Sequence, residues 1–255
     1  NIPKKFQNSD TLVLYYMLSK YGPRFTLNSI TGMFAFVFYS KHLNSFIIAR
    51  DRYGEKPLYY SWGSHIDPDT FLFSSDLSGF YTSNRSNAKI DIISLEEFVQ
   101  FGYVLKNRTF LTDIKEIEPG SYLTITSDEG LKVNITEYFN LDNETLNEDF
   151  AKGEVKREIV ENIKKCLSSD ANLGGFLSAG LDSTMIMSVA SSFKSVKAFT
   201  VAYENDDPES EIAKDNATTL GIEHEVIHIN QNEIFEELNS YFDKVTEPIG
   251  DDSGF

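Results

Sequence analysis

The stretch FLSAGLDST, residues 176–184, concentrates small and hydroxylated residues around a single acid, Asp182. Ala179 and Gly180 are small enough to let backbone N–H groups approach an anion, and Ser178, Ser183 and Thr184 add hydroxyl donors. A following helix would bring the positive end of its dipole to the same place. The G-x-S-x-G nucleophile elbow does not fit, because Phe176 stands two residues before Ser178. The G-K-[ST] ending of a Walker A loop is missing too. A plain alternative is a helix cap by Asp182 or Ser183, with no chemistry attached. Asp182 tips the balance toward chemistry. A carboxylate repels phosphate unless a cation lies between them, so an acid in an anion-seeking loop points to Mg²⁺ bridging to a pyrophosphate.

The elements that must position this loop alternate in type. Val155, Ile159, Ile163 and Cys166 recur at helical spacing, which predicts an amphipathic helix with Cys166 in its packed face. NLGGFL reads as a short strand, STMIMSVASSF as a helix and VKAFTVAY as a strand. PESEIAKDNATTLG reads as a helix with Pro208 at its start and Gly221 past its end. EHEVIHIN then reads as a strand and EIFEELNSYFDKV as a helix. This alternation predicts βαβ units and a parallel sheet, with the loop at its C-terminal edge.

Upstream the pattern differs. SDTLVLYYMLSKYGPRF reads as a helix capped by Ser9 or Asp10 and stopped by Gly22 and Pro23. MFAFVFYS, SFIIARD, KPLYYSW and TFLFSS read as an antiparallel meander, with a hairpin turn at residues 42–45. A helix at about 93–101 and strands around IEPGSYLTIT and the turn at 128–130 complete an α+β region. The polar run after Asn140 reads as a linker. The resulting division is 1–140, a linker at 141–152, and 153–255.

Composition narrows the function classes. Of the 255 residues 41% are hydrophobic and 24% charged, as in a globular protein. A formal net charge of −16 argues against a nucleic-acid surface and against docking on anionic lipid. No apolar run reaches the length of a membrane span. The single cysteine, Cys166, excludes an intramolecular disulfide framework and fits a reducing, cytoplasmic compartment. The N-x-[ST] sequences at Asn84, Asn107, Asn134, Asn143 and Asn216 read as chance matches. HEVIH, residues 224–228, spells the zinc motif H-E-x-x-H, but on a strand the two histidines lie about 13 Å apart and share no metal. His42 and His65 read as surface residues.

S-A-G-L-D-S-T resembles the S-G-G-x-D-S pyrophosphate loop of the ATP pyrophosphatase family, and the preceding SSDANLGGFL resembles the lead-in of its asparagine synthetase branch. AFTVAYEN, LGIEHEVIHIN and VTEPIGDDS follow in the order that branch shows. SDTLVL, LNSITGMFAFVFYS, ARDRYGEKPLYY and FSSDLSGF resemble successive blocks of class II glutamine amidotransferase domains. The chain as a whole is similar to glutamine-hydrolysing asparagine synthetases.

The resemblance implies an α+β fold followed by α/β: an Ntn-type αββα amidotransferase domain, then a Rossmann-like, parallel-sheet ATP pyrophosphatase domain. It implies a ligase that takes ammonia from glutamine and joins it to an acid, aspartate by default, through an acyl-adenylate, releasing AMP and pyrophosphate. ATP and Mg²⁺ are the implied cofactors, and a homodimer is compatible with it. Leu177 and Val201 would hold the adenosine part through their backbones. Ala179 would line the ATP site, Ser178, Gly180 and Ser183 would cradle the pyrophosphate, Asp182 would act through Mg²⁺, and Asp10 would pair with the α-amino group of glutamine. Two departures stand out. Ala179 replaces a loop glycine and would crowd a phosphate if that position needs φ > 0. The chain also does not begin with the nucleophilic cysteine. The expectation is an internal piece of the parent protein, its amidotransferase domain lacking the N-terminal part and its ATP domain the C-terminal part, with no glutaminase activity of its own. A non-catalytic, amidotransferase-like binding module and a ligase for another acid, such as a sugar acid, are the rival readings.

Overall fold

The computed structural model describes residues 2–6, 9–62, 70–82, 89–127, 130–143, 152–169, 171–203 and 207–250. The chain divides into two compact units, Asn1–Glu144 with Lys244–Gly254, and Thr145–Asp243 with Phe255.

The first unit opens with helix α1 (Asp10–Ser29). Ser9, not Asp10, caps it, accepting from the Leu12 N–H at 3.4 Å. Gly22 is non-helical at φ 77°, but Pro23 does not end the element as the sequence suggested. Its fixed φ suits the first position of a helical turn, so the chain resumes from Pro23 to Ser29 beyond a kink. Next come β1 (Ala35–Ser40), β2 (Ser45–Arg50), β3 (Tyr59–Trp62), β4 (Phe71–Ser74), α2 (Ser78–Thr82) and α3 (Ile92–Phe101). β5 (Lys115–Glu116), β6 (Ser121–Thr126) and β7 (Lys132–Glu137) follow. The four early strands do not form one meander. They divide between two antiparallel sheets of order β1-β2-β6-β7 and β4-β3-β5.

The period-two alternation of strands explains the division. Ile47, Ala49 and Tyr122 point to one face of the first sheet and pack on Leu27 of α1. Ile48, Leu123 and Ile125 point to the other face and pack on Tyr60 of β3. Tyr59, one residue earlier, turns away toward Leu77 and Phe80 at α2. The central strands are therefore buried on both faces, between α1 on one side and α2 on the other. That is why β2 and β3 read as continuous apolar runs rather than alternating ones.

Residues 244–250 belong to this unit by packing, although the sequence-based second domain runs on through them. The Tyr59 hydroxyl donates to Glu247 at 3.0 Å, and Thr246 donates to Asp76 at 3.0 Å. Burial pushes the Glu247 carboxyl above the usual range.

The second unit contains α4 (Lys152–Cys166), β8 (Leu173–Phe176), α5 (Leu181–Phe193), β9 (Val196–Ala202), α6 (Pro208–Leu220), β10 (Glu223–His228) and α7 (Gln231–Lys244). Its three strands are parallel, in the order β10-β9-β8. Val196 and Ala198 pack against Met187 and Ala190 of α5 and Ala213 and Ala217 of α6. Alanines at these positions let the helices lie close to the sheet. Gly174 and Gly175 are small for the same reason: a Cβ at Gly174 would stand 2.8 Å from the Phe199 ring on one face, and one at Gly175 would meet Met187 on the other. Gly221 ends α6 in the left-handed conformation, φ 65°. Cys166 departs from expectation. It is exposed, and it is Ile163 of α4 that packs on the core. The run 144–151 and His65 lie outside the described residues.

Candidate functional site

The ladder of β8 on β9 runs one residue past the strand. The Leu177 N–H donates to the Phe199 carbonyl at 2.8 Å, and the Leu177 side chain is buried. The chain then turns over Ser178, Ala179 and Gly180 into α5. Gly180 is the N-cap and offers no side-chain cap. Neither Asp182 nor Ser183 serves as one, so the plain helix-cap alternative fails at both residues.

The Ser183 hydroxyl lies 2.9 Å from the Ser178 hydroxyl and accepts the Ser178 N–H at 3.1 Å. The Gly180 N–H donates to Ser178 Oγ at 3.1 Å. A Cβ on Gly180 would stand 3.0 Å from that oxygen, so the glycine answers to close approach and not to φ, which is −69°. Ala179 does not have positive φ, so its methyl carries no backbone strain. Thr184 donates to the Gly180 carbonyl at 2.8 Å and accepts from Asn216 of α6 at 3.2 Å, which ties α5 to its neighbour.

The loop therefore has a closed inner side of serine hydroxyls and an open outer side. Among the described residues the N–H groups of Leu181, Asp182 and Ser183 have no acceptor, as expected for a first helical turn. The exposed Asp182 carboxylate has neither a hydrogen bond nor an ion pair among those residues. Partial positive charge and an unengaged acid thus meet on one rim.

Val201 lies on β9 opposite Ile227 and is 37% exposed. In a parallel strand alternate residues direct their backbone groups to the same neighbour. Phe199 serves β8, so Val201 also faces the β8 side, where β8 has already turned away. Leu177, Ser178, Ala179, Gly180, Asp182, Ser183 and Val201 are thus gathered at the C-terminal edge of one sheet. Two partners carried no signal in sequence, Asn216 and Thr200, and His224 stands out there only within HEVIH, which is set aside as a zinc motif. Thr200 donates to the Leu177 carbonyl at 2.5 Å and lies 2.8 Å from His224 Nε2.

His224 and His228 sit on β10, and no group of three or more His, Cys, Asp or Glu among the described residues is arranged to hold a metal. Burial, reinforced by the Lys214 ammonium, holds the His224 imidazole below its usual pKa and so favours the neutral ring.

Asp10 belongs to a separate place in the first unit. It is exposed, and its carboxylate accepts from the Thr11 N–H at 2.6 Å. It lines a cavity of about 780 Å³ with Thr11, Ile30, Lys56 and Ser75 among its walls. Lys56 and Ser75 fall within the ARDRYGEKPLYY and FSSDLSGF stretches, but neither is singled out as a site residue from sequence. The Arg50–Leu58 turn that brings Lys56 there is built on Asp51, a buried carboxylate accepting from the N–H groups of Phe34, Tyr53, Glu55 and Lys56 at 3.0–3.3 Å. Burial pulls that carboxyl upward, but the four backbone donors outweigh it and hold its pKa below the usual value. The buried Arg50 guanidinium donates to the carbonyls of Gly54, Lys56 and Ile117 and pairs with Glu116 at 2.8 Å.

Comparison with known proteins finds two families in succession along the chain. Residues 3–139 match the glutamine amidotransferase domain family, and residues 154–255 match the asparagine synthase family. The chain belongs to the glutamine-hydrolysing asparagine synthetase family. It is 31% identical over 246 residues to a glutamine-hydrolysing asparagine synthetase 1 of Bacillus subtilis (strain 168), which covers 96% of this chain and 38% of that protein. A putative asparagine synthetase 2 of Methanocaldococcus jannaschii is 26% identical, covering 97% of this chain and 48% of that protein. An amidase chry2 of Gibberella zeae is 24% identical, with 94% and 37% covered. The chain thus spans less than half the length of these relatives.

Proposed function

We propose that this chain carries the nucleotide site of a ligase that activates a carboxylic acid with ATP and amidates it with ammonia drawn from glutamine. The observation that carries the reading is the rim at residues 178–183, where free helix-start N–H groups stand beside a carboxylate that caps nothing. In the proposed reaction an acid oxygen attacks the α-phosphorus, pyrophosphate leaves with the bond electrons, and ammonia then displaces AMP from the acyl-adenylate. Ser178, Gly180, Ser183 and the N–H groups of the first turn hold the pyrophosphate portion, in the manner of other helix-start anion sites. The backbones of Leu177 and Val201 flank the adenosine part.

Asp182 is the residue that would hold Mg²⁺. It is the one acid of the loop and is unengaged among the described residues. Mg²⁺, when bound, offsets the charge on the departing pyrophosphate. Ala179, free of strain at its own φ, supports a working loop over a degenerate binding module.

Aspartate is the acceptor best supported, through the asparagine synthetase relatives; the likeness to an amidase keeps a different acid as the second reading. Asp10, in its cavity, takes the α-ammonium of glutamine. The nucleophile that opens glutamine is assigned to none of these residues: the sole thiol, Cys166, is on α4 of the other unit. The first unit is read as an Ntn-type layering, with α1 and α2 outside two sheets, and the second as a Rossmann-like one. The domains are read as 1–140 and 153–255, with residues 244–250 of the second stretch of sequence packing as part of the first unit. A cytoplasmic setting fits the single cysteine, and no helix among the described residues is long and apolar enough to cross a membrane.

Calorimetric titration of ATP into the full-length protein, with and without Mg²⁺, tests the reading. Binding that requires Mg²⁺ and is weakened at least about tenfold by Asp182→Asn is expected, a loss of ~1.4 kcal/mol. Binding indifferent to both would overturn it.

A further inference from the structure

His224 was singled out by a zinc-like motif that the proposed reaction does not use, and its actual contacts point elsewhere. The Thr200 hydroxyl has one proton to give. The Leu177 carbonyl, 2.5 Å away, is an acceptor only and takes that proton. The 2.8 Å contact between Thr200 Oγ1 and His224 Nε2 therefore runs the other way: Nε2–H donates to the hydroxyl oxygen, which fixes the neutral ring as its Nε2–H tautomer. Thr200 is 4% exposed and its bond to the Leu177 carbonyl is buried, while the bond from the half-buried His224 is partly buried.

The position of this chain of bonds matters. In an unbroken parallel ladder the Leu177 N–H bond to Phe199 would be followed by a bond from the Val201 N–H to the Leu177 carbonyl. That second bond is not made. The Thr200 hydroxyl occupies the Leu177 carbonyl instead, and the Val201 N–H has no acceptor among the described residues. One side-chain hydroxyl thus ends the ladder, holds the last residue before the loop, and leaves a backbone donor facing the gap.

We propose that His224 is a positioning residue for nucleotide binding: through Thr200 it anchors the Leu177 carbonyl and so keeps the Val201 N–H free for the nucleoside of ATP. The proposal rests on the reading of residues 176–184 as the ATP site. It assigns His224 no contact with the nucleotide.

The test is Mg-ATP binding by calorimetry in the full-length protein, with thermal melting in parallel. Thr200→Val removes the hydroxyl at constant shape, and His224→Leu removes the donor. Each is expected to weaken Mg-ATP about tenfold, the usual scale for one buried hydrogen bond lost. Thr200→Ser and His224→Gln, which restore a hydroxyl and an N–H, are expected to stay within about threefold of wild type. The double variant Thr200→Val/His224→Leu is expected to bind no more weakly than Thr200→Val alone, because the two act in series. In steady-state kinetics the ATP KM rises while kcat holds.

Wild-type protein that binds ATP with affinity unchanged by Thr200→Val or His224→Leu overturns the relay and leaves the nucleotide reading standing. So do additive losses that the conservative variants fail to restore. Wild-type protein that does not bind ATP overturns the nucleotide reading and the relay with it.

Discussion

Ala179 and Gly180 are adjacent, small and governed by different physics. Ala179 has no positive φ, so the methyl that sets it apart from a glycine-glycine loop costs nothing in the backbone. Ala179→Gly should therefore leave Mg-ATP affinity within about twofold while lowering stability by about 0.5–1 kcal/mol through the greater freedom of the unfolded chain. Calorimetry and urea unfolding measure the two quantities. A marked gain in affinity would mean that the methyl obstructs the ligand after all. At Gly180 the constraint is distance, because a Cβ would press on the Ser178 hydroxyl at 3.0 Å. The small residues of the loop were readable as anion-seeking from type alone. Which of them needs to be small, and why, depends on where the serine oxygens turn, and nothing in a one-dimensional text states that.

At the scale of elements, the Arg50–Leu58 turn shows why a long motif has to be long. Asp51 holds four backbone N–H groups, three of them within the next five residues, and Arg50 holds three carbonyls. Asp51→Ala should cost about 3 kcal/mol in urea unfolding, since it strands buried donors. The contribution carries a pH signature. The folded pKa lies below the usual value near 3.8, so the stabilisation is complete above that value and disappears as pH falls through the folded pKa. Wild type and Asp51→Ala should converge in stability on acidification below about pH 4, and a gap that stays constant with pH would contradict the assignment.

The β10 strand makes a second prediction. Two histidines four residues apart on a strand point the same way but too far apart to share a metal. Competition with a chelating dye should find no one-to-one Zn²⁺ site tighter than about micromolar that His224→Ala weakens.

Element type was largely legible in the chain, because helices and strands write their own periods. The helix after Pro23 and the exposed Cys166 were not. Proline both stops and starts helices, and a four-residue spacing cannot say how wide the buried stripe of α4 is. The partition of β1–β4 into two sheets was hidden for a related reason: the central strands β2 and β3, buried on both faces, lose the alternation that would reveal which sheet each belongs to.

At the scale of the molecule, two units with different strand grammar carry two proposed half-reactions, one drawing ammonia from glutamine and one spending ATP. The claim that joins the residue-level reading to this division is that residues 176–184 handle pyrophosphate through Mg²⁺ and nothing else. The loop stands out in the sequence because its residue types are local to one stretch. The contacts that reach it from Thr200 and, through Thr200, from His224 do not, because those residues lie on two later strands and meet the loop only in the sheet. The measurement that tests the claim most directly is acid-dependent pyrophosphate release by the full-length protein carrying Asp182→Asn, run beside glutamine hydrolysis by the same preparation. Loss of a preorganised charge contact predicts a fall in pyrophosphate release of about 100-fold or more, with glutamine hydrolysis largely intact and Ser183→Ala showing a smaller loss of the same kind. Pyrophosphate release unchanged in Asp182→Asn, with only a small drop in melting temperature, would contradict it and return the loop to a structural turn.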